Sequence, residues 1–234
     1  MSKTLKVMFW LMGLFLLIIL VQYPIQQATD SWQTWSLPLA GQTIVLDPGH
    51  GGADGGAEGS DGTQEKEIAL AVSHQLQDYL QQAGAIVYLT REGDYDLAEE
   101  GTTSLSRRKT EDIHQRVAFI KENEADLFLS IHLNALPAKQ WRGAQVFFYP
   151  GKEQNEVLAK SIQSTIRHHL ENTTREALAI EHIYLLQHAE AIGALVEIGF
   201  LSNEEERALL TSPDYQQKMA ASIYQGILQF AAAK

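Results

Sequence analysis

The 234-residue chain contains no cysteine. Disulfide staples and thiolate metal sites are therefore excluded, and any bound metal must be held by His, Asp or Glu. Positive charge is also scarce: 18 Lys and Arg stand against 29 Asp and Glu, a formal net charge of −11 at pH 7. Nucleic-acid binding and broad docking on an anionic surface both call for a basic stripe. No nucleic-acid partner is expected. Internal repeats, low-complexity tracts and an H-E-x-x-H pattern are missing, which removes repeat folds and the commonest helix-borne metallopeptidase signature.

Long hydrophobic runs are nearly absent, with one exception. Lys3 and Lys6 precede an unbroken apolar stretch from Val7 to Val21, followed by Gln22 and Tyr23. A spanning helix needs about 20 largely apolar residues, with a lower limit near 17, and the flanking residues supply the difference. The run is apolar on every side, unlike an amphipathic core helix. Residues 1–25 are read as an uncleaved membrane anchor in preference to a cleaved signal, because no good A-x-A-like site follows. The two lysines stay inside and the rest is exported. Residues 26–40 read as a linker in which Trp32 and Trp35 lie on the membrane surface or pack on the domain, and Tyr23 suits an interface. What remains, 41–234, is roughly 190 residues and suits one domain.

In that domain, extended apolar runs occur at Thr43–Asp47, Ala85–Thr90, Leu127–His132, Ala144–Tyr149 and Ala194–Ile198. Helical periodicity fills the gaps: Lys66–Ala83, a helix capped by Thr110 and running to about Asn123, Glu153–Leu170, and a last helix from Ser212-Pro213 through Ile227. Strands alternating with helices predict an α/β domain, a twisted and mainly parallel sheet with helices on both faces.

Three of these strands close on polar, ligating residues: His50 just after the first, His132 in Ser130-Ile131-His132, and Glu197 in Leu195-Val196-Glu197. In an open α/β sheet, sites form at the carboxyl ends of the strands. Glu65 stands at the start of the first domain helix, three residues before Ile68, so it faces near the core stripe; Glu67 points further round. Two histidines and a carboxylate suit catalytic zinc, with a position left open for water. Glu197, among apolar neighbours, suits the proton acceptor such a hydrolase needs. The glycine-rich loop after His50 competes as a phosphate cradle, but it lacks both G-x-x-x-x-G-K-[ST] and G-x-G-x-x-G, and Asp54, Glu58 and Asp61 would repel phosphate.

These residues resemble the zinc-dependent N-acetylmuramoyl-L-alanine amidases of the amidase_3 type. The likeness rests on Val45-Leu46-Asp47-Pro48-Gly49-His50-Gly51-Gly52, Gly62-Thr63-Gln64-Glu65-Lys66, Leu89-Thr90-Arg91, Ser130-Ile131-His132-Leu133-Asn134-Ala135 and Leu195-Val196-Glu197-Ile198-Gly199-Phe200-Leu201-Ser202-Asn203. The resemblance implies one Zn2+ on His50, Glu65 and His132, Glu197 as the catalytic glutamate, and cleavage between N-acetylmuramic acid and L-alanine of peptidoglycan. One departure is Ala191-Ile192-Gly193, where similar proteins often carry proline before the last strand. The anchor, Trp35-Ser36-Leu37-Pro38-Leu39 and Leu170-Glu171-Asn172-Thr173-Thr174-Arg175 look like the sporulation amidases of that family. That likeness implies removal of stem peptides from spore cortex, a muramic acid deacetylase acting next toward muramic δ-lactam, and an activating lipoprotein as a further partner. The alternatives are an autolysin of vegetative wall turnover or cell separation, a metallopeptidase cutting within the stem, and a non-catalytic peptidoglycan-binding protein.

Other candidates carry two readings each. Arg107 and Arg108, with Lys109, either hold stem-peptide carboxylates or form a solvated stretch ahead of a helix. Asn134 either bonds substrate or shapes the turn after His132. His182 and His188 flank a short apolar segment and are candidates to line the cleft; His74, His114, His168 and His169 read as surface or structurally satisfied residues.

Overall fold

The computed structural model describes residues 2–33 and 37–233, without the side chains of 21–33. The chain divides into two units, Met1–Leu37 and Pro38–Lys234. The first is the helix α1 (Lys3–Gln33), whose segment Lys3–Leu20 is long and apolar enough to cross a membrane and has none of its residues buried. A signal sequence meets the same criteria. The helix continues past Ile25 into the stretch read as linker. The expectations for Trp35 and for the side chains of Tyr23 and Trp32 lie outside the described residues.

The second unit is the expected α/β domain. Its elements are β1 (Thr43–Pro48), α2 (Glu65–Gln82), β2 (Ile86–Leu89), α3 (Leu105–Glu122), β3 (Leu127–Asn134), β4 (Gln145–Phe148), α4 (Glu153–Leu170), β5 (Leu178–Ala179), α5 (Tyr184–His188), β6 (Ile192–Phe200), α6 (Glu204–Leu210) and α7 (Pro213–Ala232). The strands form one sheet in the order β2-β1-β3-β6-β4-β5. The pairs β1–β2, β1–β3, β3–β6 and β4–β5 are parallel, and β4–β6 is antiparallel.

The pleat sorts each strand between two apolar layers. Ile44 and Leu46 of β1, Leu129 and Ile131 of β3, and Val196 and Ile198 of β6 pack with Ile68, Val72 and Leu76 of α2, Ile162 of α4 and Ile223 of α7. Val45, Phe128 and Leu195 point the other way, against Val117 and Ile120 of α3 and Leu185 and Leu186 of α5. Asp47, Ser130, His132 and Glu197 follow the alternation onto this second face, so the polar residues of the three strands share one side of the sheet.

Among the boundaries that differ from the expectation, three bear on the site. Neither His132 nor Glu197 is terminal: β3 runs on to Asn134 and β6 to Phe200. Between His132 and Asn134 the register shifts, with β6 carrying one more residue than β3 over the same stretch, a bulge. The helix α3 begins five residues before Thr110, with Ser104 at the N-cap position but making no side-chain capping bond; the Thr110 hydroxyl bonds back to the Ser106 carbonyl, 3.1 Å, inside the helix. Arg107, Arg108 and Lys109 are therefore helical, and not a stretch ahead of a helix. At the proline-free approach to β6, the Gly193 amide donates to Asn155 Oδ1, 3.0 Å, a bond proline would forbid.

Candidate metal centre and active site

The first ligand candidate is placed by the backbone after β1. His50 has φ +60°, a left-handed conformation a non-glycine residue keeps only when its surroundings hold it there. Two buried arginines provide that hold. Arg91 donates to the carbonyls of Pro48 (3.0 Å), Gly49 (2.9 Å) and Lys66 (2.7 Å). Arg116 donates to Pro48 O (2.8 Å) and His50 O (2.6 Å), and pairs with Asp47 Oδ1 at 2.6 Å. Asp47 is itself buried and accepts from Thr90 Oγ1 at 2.7 Å and Ser130 Oγ at 2.5 Å. Burial alone would push the Asp47 carboxyl up, but Arg116 and the two hydroxyls outweigh it and hold it below its usual value. Burial and neighbouring Arg116 bring Arg91 down to about 10, still charged at neutral pH.

Glu65 opens α2 and reaches across the sheet edge. Its Oε1 accepts from Leu133 N (2.8 Å) and meets His132 Nδ1 (2.9 Å); its Oε2 accepts from Ala57 N (2.6 Å) and lies 3.2 Å from His50 Nε2. Burial opposes its charge, yet the contacts with His132 and His50 hold its carboxyl far below the ordinary range. Asp54 accepts from His50 Nδ1 at 2.9 Å, which fixes the ring and turns Nε2 toward Glu65. Burial disfavours the His50 cation, but Glu65 and Asp54 together raise its pKa.

One ligand atom from each of His50, Glu65 and His132 lies within 4.8 Å of the others, a geometry able to hold a metal ion. Two imidazoles and an ionised carboxylate with a fixed tautomer form a donor set that fits a divalent cation. The closeness depends on two glycines. A Cβ on Gly49 would stand 2.5 Å from the His132 ring, and one on Gly56 would stand 2.5 Å from Glu65 Oε2 and 2.6 Å from His50 Cδ2.

Glu197 sits in the strand next to that cluster, in register with His132 and on the same face. The residue is half-buried, and its Oε2 is sealed from solvent with no hydrogen-bond partner among the described residues. Burial raises its carboxyl to about 7, while His132 and His50 draw it down and Glu65 pushes it further up. An ionisable group desolvated in this way, beside a ligand cluster, is equipped to exchange a proton near neutral pH.

The remaining candidates lie elsewhere. Arg108 is engaged with Asp96 and with Thr102 O (2.9 Å), and Lys109 pairs with Asp54 Oδ1 at 2.9 Å, behind His50. Arg107 is three-quarters exposed and lies 3.7 Å from Glu111. Asn134 ends β3, its carbonyl accepting from Leu201 N at 2.7 Å. His182 is exposed ahead of α5, whereas His188 stacks on Tyr184 with centroids 3.9 Å apart. Asp47, Asp54, Arg91 and Arg116 are the supporting residues that sequence reasoning missed. The only signals were Asp47 and Arg91 inside the resemblance motifs, where neither was given a role.

Comparison with known proteins agrees with this geometry. Residues 44–229 match the family described as N-acetylmuramoyl-L-alanine amidase. The chain is 52% identical over 234 residues to the germination-specific N-acetylmuramoyl-L-alanine amidase of Bacillus subtilis, covering 100% of this chain and 98% of that one. Among solved structures, the CwlD amidase from Clostridioides difficile, in complex with the GerS lipoprotein, superposes with TM-score 0.81 at 38% identity, covering 82% of this chain and 100% of the other. The amidase AmiC2 of Nostoc punctiforme gives 0.68 at 29% identity, covering 82% and 98%.

Proposed function

The chain belongs to the N-acetylmuramoyl-L-alanine amidases, and from that premise we propose that it cleaves the N-acetylmuramic acid–L-alanine amide of peptidoglycan, with His50, Glu65 and His132 as zinc ligands and Glu197 as the catalytic acid–base. The observation that carries these roles is the in-register pair of His132 and Glu197, one side chain in a ligand cluster and the other a carboxyl whose Oε2 has no partner. Zinc, when bound, supplies a Lewis acid that polarises the scissile carbonyl and acidifies water.

The chain's own residues do the rest. Asp54 commits His50 Nδ1 and leaves Nε2 free to ligate. Glu65 stays ionised through neutral pH. Glu197 takes the proton of the attacking water and returns it to the departing alanine nitrogen. A carboxyl near 7 is matched to both directions of that exchange, and a cation on the neighbouring ligands draws the value lower.

The biological setting is spore cortex, outside the cytoplasmic membrane, with α1 as anchor or export signal. The near full-length similarity to the germination-specific relative supports this reading. A muramic acid deacetylase consumes the stripped product. The solved complex of the Clostridioides difficile relative supports a lipoprotein partner. Purified protein incubated with cortex peptidoglycan should contain zinc, release new L-alanine amino termini and leave glycan strands intact. Cleavage inside the peptide, or activity without metal, would overturn the proposal. Equal turnover of vegetative wall would displace the cortex assignment alone.

A further inference from the structure

Gln145 stands opposite Glu197 in the antiparallel β4–β6 pair, as His132 stands beside Glu197 in β3–β6. Directly paired residues share a face of the sheet. His132, Glu197 and Gln145 therefore form a row across three adjacent strands, each step about 5 Å. The face is the one that carries Leu195 and Phe147 against α3 and α5.

Gln145 is half-buried, and its Nε2 donates to the Glu176 carbonyl at 3.2 Å. A carbonyl only accepts, so this bond settles which end of the carboxamide is nitrogen. No partner engages Oε1 among the described residues. The fold thus keeps an oriented acceptor on the side of Glu197 away from the ligand cluster.

The row gives a substrate its direction. The scissile carbonyl belongs at the ligand end, and its nitrogen belongs at Glu197, which must reach it with a proton. The chain beyond that nitrogen then passes over β4. We infer that Gln145 accepts a hydrogen bond from a backbone N–H of the stem peptide beyond its first residue, and so makes cleavage sensitive to peptide length. The inference rests on the amidase reading above. A neutral acceptor also suits a peptide rich in carboxylates, which a glutamate at this position would repel.

The test compares N-acetylmuramoyl-L-alanine with the N-acetylmuramoyl tripeptide, using the full zinc-loaded chain. In Gln145→Leu and Gln145→Met, kcat/KM for the tripeptide substrate should fall about five- to tenfold, mostly through KM, as loss of one neutral hydrogen bond implies. Turnover of the single-residue substrate should stay at the wild-type level. An equal loss on both substrates would mark Gln145 as structural, and no loss on either would remove it from binding; each result overturns the inference. The assays are run with and without the lipoprotein partner, and failure of the wild type to cleave either substrate in both would overturn the amidase reading itself, before any variant is made.

Discussion

Glu65 and Glu197 are chemically the same side chain, held in opposite ways on either side of His132, which bonds the first and pairs in register with the second. The region around Glu65 saturates its carboxylate: two backbone amides and two imidazoles converge on two oxygens. The region around Glu197 leaves Oε2 bare among apolar strand neighbours. The first carboxyl is driven far down in pKa and the second up to about 7. Donor supply, and not residue type, separates a carboxyl that stays ionised from one that can exchange a proton near neutral pH.

The comparison breaks most completely at its saturated end. Glu65→Ala should abolish stoichiometric zinc in the purified protein, and turnover with it; metal analysis that still finds one zinc per chain would place the centre elsewhere. At the bare end, Glu197→Gln should keep zinc and lose about 10²–10⁴-fold in kcat. Full activity in that variant would end the acid–base assignment.

Asp47→Asn tests the scaffold shared by both ends. It should lower unfolding free energy by about 3 kcal/mol, since it strips a buried guanidinium of its nearest counter-charge. Asp47 is depressed in the folded state, so its contribution is complete above the unfolded carboxyl value of about 4 and is lost as pH falls toward the folded value. Denaturant melts should therefore show a gap between wild type and variant that is constant above about pH 5 and closes in acid. A gap unchanged at low pH would mean that the Asp47 charge contributes nothing. The smallest effect belongs to Asp54→Asn, which weakens the hold on His50: zinc affinity should fall about 10–100-fold in chelator competition, with the fold unchanged.

His50, Glu65, His132 and Glu197 could be singled out as candidates because each follows, interrupts or opens an apolar periodic segment, and the sheet edge that brings them near one another follows from alternating strands and helices. Strand lengths were not legible in the same way. Leu133-Asn134 and Gly199-Phe200 follow polar residues that looked like ends, and only pairing between β3 and β6 extends the strands beyond them. The start of α3 was hidden because Leu105 to Glu111 is exposed or only half-buried, so no apolar stripe marks it. Helix α6 carried a readable cap, Asn203 accepting from Glu206 N at 2.9 Å, but at seven residues it is too short for periodicity to register. Arg116 left no local trace, and the role of Arg91 could not be read from its motif: each acts on carbonyls of residues 42 to 68 positions away, apart from the Lys66 and Gly93 contacts of Arg91.

The strand order also sets a timetable. The last strand to leave the ribosome, β6, takes the slot between β3 and β4, two strands that precede it in the chain. Until residue 200 is available those two cannot be joined, and the core keeps two open edges of the kind that invite aggregation. Parallel pairing over such separations is slow to form. The proposed proton carrier, Glu197, therefore arrives with the piece that closes the sheet, so a chain interrupted before Ile192 carries the three proposed metal ligands but neither a finished core nor the carboxyl proposed to act beside a bound metal.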